Sequence, residues 1–254
     1  MMKKILFGLI AVATLFSSPN EAPVSPKIGL LSYPRSGSKW FMYVLLFGAE
    51  RNWKINHQLW KHFQTEIDYS KIILDHSHHK KVFARHFQPE RDKLIVLVRN
   101  YRECIIRRHG AAKIAQIISS IKNQNFEKLN TNWYFDQLAF FDEWPEENRL
   151  LVYYEDMILR PREVFEEVVA FIGDDPVILE DFFASYKEHV AKSLAWRSAK
   201  EKTMRPVSKG KDLSYHSKRI SEKEIYAFDE AVKKSYPDLW EKYLTRYEKF
   251  PQQL

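Results

Sequence analysis

The sequence predicts an α/β fold, a central parallel sheet flanked by helices, on three observations. Short runs that are apolar throughout recur along the chain, as strands buried on both faces require. Stretches with helical spacing of apolar residues lie between them. Each run ends in polar or cationic turn residues rather than in the two-residue turn of a hairpin. Strands that alternate with helices in this way form parallel sheets.

The elements follow in order. "KIGLLSY", residues 27–33, is short, apolar and followed by turn chemistry, which predicts a buried strand. Trp40, Phe41, Val44, Leu45 and Phe47 approximate helical spacing, so the turn leads into a helix. "KIILDH" (71–76) and "DKLIVLVR" (92–99) read as two more buried strands, and "RLLVYYED" (149–156) as a fourth. A helix is predicted over 131–146, and another over "PREVFEEVVAFIG", which has Pro161 at its start and Gly173 at its end. The tail from Glu222 is charged and helical. Segments 51–70 and 110–130 are read as loops that would contact a substrate.

With 254 residues and 45% hydrophobic content, the chain can bury one sizeable core, and residues 27–254 are taken as one domain. The net charge of +7 suits an acidic partner without choosing which. Cys104 is the only cysteine, so no internal disulfide exists, and Gly110 stands where a Cys-x5-Arg phosphatase loop needs arginine. "MMKK" followed by "ILFGLIAVATLF" reads as a signal peptide or short anchor within residues 1–26. The apolar run is too short to span a membrane, which needs roughly 20 residues. The expected location is exported or membrane-associated, with the cytoplasm as the alternative.

Ligands of open parallel sheets bind at the carboxyl ends of the strands. After the first strand comes "PRSGSK", residues 34–39. Gly37 lets backbone N–H groups converge, the next helix adds its positive end, and Ser36, Ser38, Arg35 and Lys39 add donors and charge. That is an anion-binding turn, but Pro34 stands where a Walker loop starting at Gly29 needs its second glycine. After the third strand comes Arg99, which requires an anionic partner if buried. Arg102, Arg107 and Arg108 follow on the same helix, where solvation or pairing with acids such as Glu103 is the competing role. His76 closes the second strand, with His78 and His79 in the loop beyond. Their spacing matches no familiar metal motif, and one histidine near a strand end serves better as a general base. "VSKGK", residues 207–211, reads as a phosphate-gripping loop.

Taken together these segments resemble the sulfotransferase family. "YPRSGSKW" resembles its 5′-phosphosulfate loop, usually Tyr-Pro-Lys-Ser-Gly-Thr-Thr-Trp, and "KLIVLVRNYRECI" resembles its 3′-phosphate strand and helix. "LLVYYEDMILRPREVFEEVVAFIG" resembles its Tyr-Glu-Asp-Met segment, and "KGK" its C-terminal Lys-Gly element. The resemblance implies a P-loop-NTPase-like sulfotransferase fold and transfer of a sulfuryl group from 3′-phosphoadenosine 5′-phosphosulfate (PAPS) to a hydroxyl or amine, without metal. It implies His76 as the base and Arg35 as the charge on the leaving phosphate. Ser36, Gly37, Ser38 and Lys39 would hold the 5′-phosphate, Trp40 and Tyr154 would lie by the adenine, and Arg99, Lys209 and Gly210 would hold the 3′-phosphate. Three positions depart from the pattern: Lys39 for Thr, Arg107 for the serine eight residues after Arg99, and Ser208 for the Arg of Arg-Lys-Gly.

The expected acceptor is a small molecule, glycan or peptide, and no nucleic-acid partner is expected. A nucleotide kinase would need the missing Gly-Lys-Ser/Thr. A non-catalytic relative that binds a nucleotide or glycan is the alternative, and the three departures are what would mark it.

Overall fold

The computed structural model describes residues 26–50, 52–55, 58–59, 73–123, 132–200 and 219–248. The leader-like segment 1–25, the Lys209–Gly210 element and Ser208 lie outside the described residues. Strands β1 (Ile28–Ser32), β2 (Asn52–Ile55), β3 (Gln58–Leu59), β4 (Ile73–Ser77), β5 (Lys93–Val98) and β6 (Arg149–Tyr153) form one sheet in the order β3-β2-β4-β1-β5-β6. All its pairings are parallel except that of β3, which folds back antiparallel on β2.

The continuous apolar character of β5 follows from its position. Leu94, Val96 and Val98 face one layer of the core, and Ile95 and Leu97 face the other, because successive side chains of a strand point to opposite faces. On the first face pack α2 (Lys80–His86), α3 (Tyr101–His109), α4 (Ile114–Lys122), α5 (Asn132–Asp142) and α10 (Glu222–Ser235), through Phe83, Ile105, Ile117, Phe135 and Phe228. On the second pack α1 (Ser38–Gly48), α7 (Pro161–Ile172), α8 (Glu180–Ala184) and α9 (Tyr186–Lys200), through Phe41, Phe165, Phe182 and Tyr186. No helix among the described residues is long and apolar enough to cross a membrane.

Several sequence expectations shift. The segment 51–70 contains β2 and β3, so part of it extends the sheet, and 110–130 contains α4. The fourth strand stops at Tyr153, and Tyr154–Leu159 is helix α6. The acids that follow Tyr153 explain this boundary. The Glu155 carboxylate turns inward to accept the Asn100 N–H at 2.9 Å and the Tyr247 hydroxyl at 3.0 Å. The second strand reaches Ser77, so His76 lies within β4, in register with Leu30 and Ile55.

Candidate active site

The β1–α1 connection is a tight turn held by the Ser36 N–H donating to the Tyr33 carbonyl at 3.1 Å. Two of its residues have positive φ, Arg35 at 81° and Gly37 at 95°. The left-handed region costs a side-chain-bearing residue about 1–2 kcal/mol, so Arg35 holds stored strain of the kind found at binding loops. Gly37 is required for a second reason. A Cβ built there would lie 2.3 Å from Cδ2 of Tyr154. Gly37 also starts α1 without a side-chain cap, so amides of the first turn point at the space in front of the strands. Ser36 and Ser38 are buried, and the Ser36 hydroxyl lies 3.5 Å from Cys104 Sγ.

Arg99 emerges from β5 only 3% exposed. Its Nη1 donates to the Arg35 carbonyl at 3.5 Å, its Nη2 lies 3.8 Å from Glu103, and its guanidinium covers the Tyr154 ring at 4.5 Å. Its buried Nε has no partner. Arg107 stands half-buried nearby, its proton affinity lowered by burial and then by the charges of Arg99 and Arg35. Among the described residues no carboxylate pairs with Arg35 or Arg107. Three guanidinium groups sharing one weak carboxylate contact, with an orphaned N–H, form a site in want of an anion. Arg102, by contrast, is taken up structurally: it pairs with Asp229 at 2.8 Å and donates to the Tyr247 carbonyl at 2.9 Å.

Beside this cluster two histidines meet edge to face, with ring centroids 4.8 Å apart. His76 is 6% exposed, its Nε2 is 3.0 Å from Ser32 Oγ, and its Nδ1 is buried without a partner. Burial, and secondarily His78, pushes its pKa down to about 3. His78 is half-buried, and its Nδ1 lies 2.6 Å from the Ser32 carbonyl. A carbonyl only accepts, so this nitrogen carries the proton and Nε2 keeps its lone pair. Gln137 holds the His78 carbonyl from the other side at 2.9 Å. Burial keeps His78 below the ordinary histidine range, against the Ser32 bond. His79 is exposed and its ring meets that of Trp133 at 4.3 Å.

Trp40 is buried and stacks on Tyr43 with centroids 5.4 Å apart, leaving its Nε1 without a partner. Lys39 is exposed. Ser32 and Gln137 are not evident in the sequence. The only signal for Ser32 is one hydroxyl at the end of an apolar run.

A family model described as "Sulfotransferase domain" matches residues 25–240. The chain belongs to the sulfotransferase family. Among solved structures, mouse sulfotransferase SULT7A1 complexed with PAP is similar with a TM-score of 0.55 and 17% identity, over 84% of this chain and 85% of that one. A sulfotransferase from Alicyclobacillus acidocaldarius has a TM-score of 0.41 and 14% identity, over 69% of this chain and 95% of that one. At these identities the likeness is one of fold. No curated protein sequence matches the chain. In this sulfotransferase the strand and helix alternation forms the parallel α/β sheet that the sequence predicts, in the P-loop-like form that the family resemblance implies.

Proposed function

We propose that this sulfotransferase uses PAPS as donor and transfers its sulfuryl group to a hydroxyl or amine. The observation that carries the reading is the group of Arg35, Arg99 and Arg107 at the strand ends, next to a histidine with a free nitrogen. The residues fit the donor. The orphaned Arg99 Nε suits a phosphate oxygen, and Arg107 in place of the usual serine would add a guanidinium to the 3′-phosphate subsite. Ser38, Lys39 and the start of α1 would hold the 5′-phosphate, and Arg99, which lies 4.5 Å from the Tyr154 ring centroid, would hold the 3′-phosphate.

When bound, PAPS supplies the sulfuryl group, with the adenosine 3′,5′-bisphosphate as leaving group. Arg35 would stabilise, by its charge, the negative charge that grows on the leaving phosphate. The acceptor's proton passes to a histidine as the acceptor's oxygen or nitrogen forms its bond to sulfur. The family resemblance names His76, but its Nε2 is taken by Ser32 and its Nδ1 is sealed. We therefore give the base role to His78 Nε2, with His76 and Ser32 as positioning residues. Calorimetric titration with adenosine 3′,5′-bisphosphate, ATP and AMP tests the donor site. Binding that depends on the 3′-phosphate is expected. A folded protein that binds none of them sinks the enzyme reading and leaves a sulfotransferase fold with another use.

A further inference from the structure

The last turn of α3 places two adjacent arginines in different surroundings. Arg107 faces Arg99 and Arg35 on the nucleotide side. Arg108 points the other way, its guanidinium 5.7 Å from the centroid of Tyr33 and 5.5 Å from that of Trp133. Tyr33 directly follows Ser32, the residue on which His78 rests. Trp133 meets the His79 ring, and Gln137, one turn further along α5, holds the His78 carbonyl. Arg108 and the proposed base are thus fixed by the same few neighbours.

Arg108 is half-buried, and among the described residues no carboxylate pairs with it. Asp136, an acid near Trp133 on α5, is electrostatically matched to Lys80 instead. A guanidinium held between aromatic faces keeps its in-plane N–H donors for an anion. Its position also carries a cost, since its charge lowers the proton affinity of His78. An anionic group brought in by the acceptor would offset that charge while the base works.

We infer that Arg108 and Trp133, with the buried Tyr33 ring behind Arg108, form an acceptor subsite for a substrate that carries a carboxylate or sulfate on a ring-shaped frame. The anion would lie against Arg108 and the ring against the Trp133 indole. The inference rests on the sulfotransferase reading, and Arg108 acts here as a specificity residue.

The test compares 4-nitrophenyl β-D-glucuronide with 4-nitrophenyl β-D-glucoside, a pair that differs in one carboxylate. Their binding to the full chain loaded with adenosine 3′,5′-bisphosphate is measured by calorimetry, and sulfation by kcat/KM with PAPS. Because a hydrogen bond to a charged group is worth more than a neutral one, the glucuronide should be preferred by roughly tenfold. Arg108→Gln should bring the ratio close to one without changing bisphosphate affinity, and Arg108→Lys should keep part of it. Equal use of both probes, no binding of the glucuronide, or a variant that loses both probes alike would overturn the subsite. A folded protein that fails to bind the bisphosphate removes instead the reading on which the subsite rests.

Discussion

His78 Nδ1 lies 2.6 Å from the carbonyl oxygen of Ser32, the last residue of the central strand β1. This bond fixes one tautomer and leaves the lone pair on Nε2. The neighbouring His76 spends its Nε2 on the hydroxyl of the same serine. One residue of β1 therefore holds both histidines, each through a different ring nitrogen.

His78→Ala should lower sulfuryl transfer by about 10²- to 10⁴-fold, the usual worth of general base catalysis. Bisphosphate affinity should stay within a factor of a few. His76→Gln, which keeps an N–H for Ser32, should retain most of the activity. Because His78 sits below the ordinary histidine range, the acid limb of kcat should fall at a pH lower than 6.5. Single-turnover assays across pH decide this, and a dead His76→Gln beside an active His78→Ala would reverse the assignment.

The reason the sequence does not resolve the pair is one of register. "KIILDH" ends in a polar residue that reads as the end of the strand, while pairing with β1 carries β4 on to Ser77. Arg99, by contrast, was legible, because a run as apolar as "LIVLV" leads the next residue out of a buried core. Trp133 and Arg108 meet only through the packing of α3 beside α5, and no local pattern announces a contact of that kind. The helix at Tyr154 has no local signal for a similar reason, since Glu155 turns inward to partners on Asn100 and Tyr247, far along the chain.

Gly37→Ala should damage both stability and nucleotide binding. The new Cβ would need to lie 2.3 Å from the Tyr154 ring, at a φ of 95°. Moving Tyr154 removes the surface on which Arg99 lies. The expected loss is about 1–3 kcal/mol of stability from the backbone alone, with weaker bisphosphate binding on top. Denaturant melts beside titrations check this, and a variant that binds as wild type would show that Tyr154 does not set the Arg99 site.

Arg102→Ala should unfold the protein more easily while sparing its chemistry. Arg102 is buried against Asp229 and the Tyr247 carbonyl, tying α3 to α10 and the C-terminal segment. Removing one partner of a buried pair typically costs about 3–5 kcal/mol. Under conditions where the variant remains folded, its bisphosphate affinity should match wild type. A loss of affinity without loss of stability would place Arg102 in the binding site instead.

Cys104 should resist thiol reagents in the native protein. It is fully buried beside Ser36, and burial pushes its pKa up to about 12. Reactivity belongs to the thiolate, so labelling by an aromatic disulfide should be slow in buffer and immediate in denaturant. Prompt labelling of the native chain would mean that the wall behind the β1–α1 turn opens readily.

Stability should fall as the solution is acidified through the histidine range. The folded state holds His76 at about 3, mainly by burial, and His109 at about 4. In the unfolded chain both take up protons near pH 6.5. Below that pH the unfolded state binds more protons than the folded one, so their contribution is present above 6.5 and is lost as pH falls toward the folded values. Each such group tilts the free energy by up to about 1.4 kcal/mol per pH unit. His76→Gln removes one of them. Its urea-unfolding free energy, followed from pH 7 to pH 4.5, should decline less steeply than that of wild type. Parallel slopes for the two proteins would mean that His76 is open to solvent and protons, and would return it to consideration as the base.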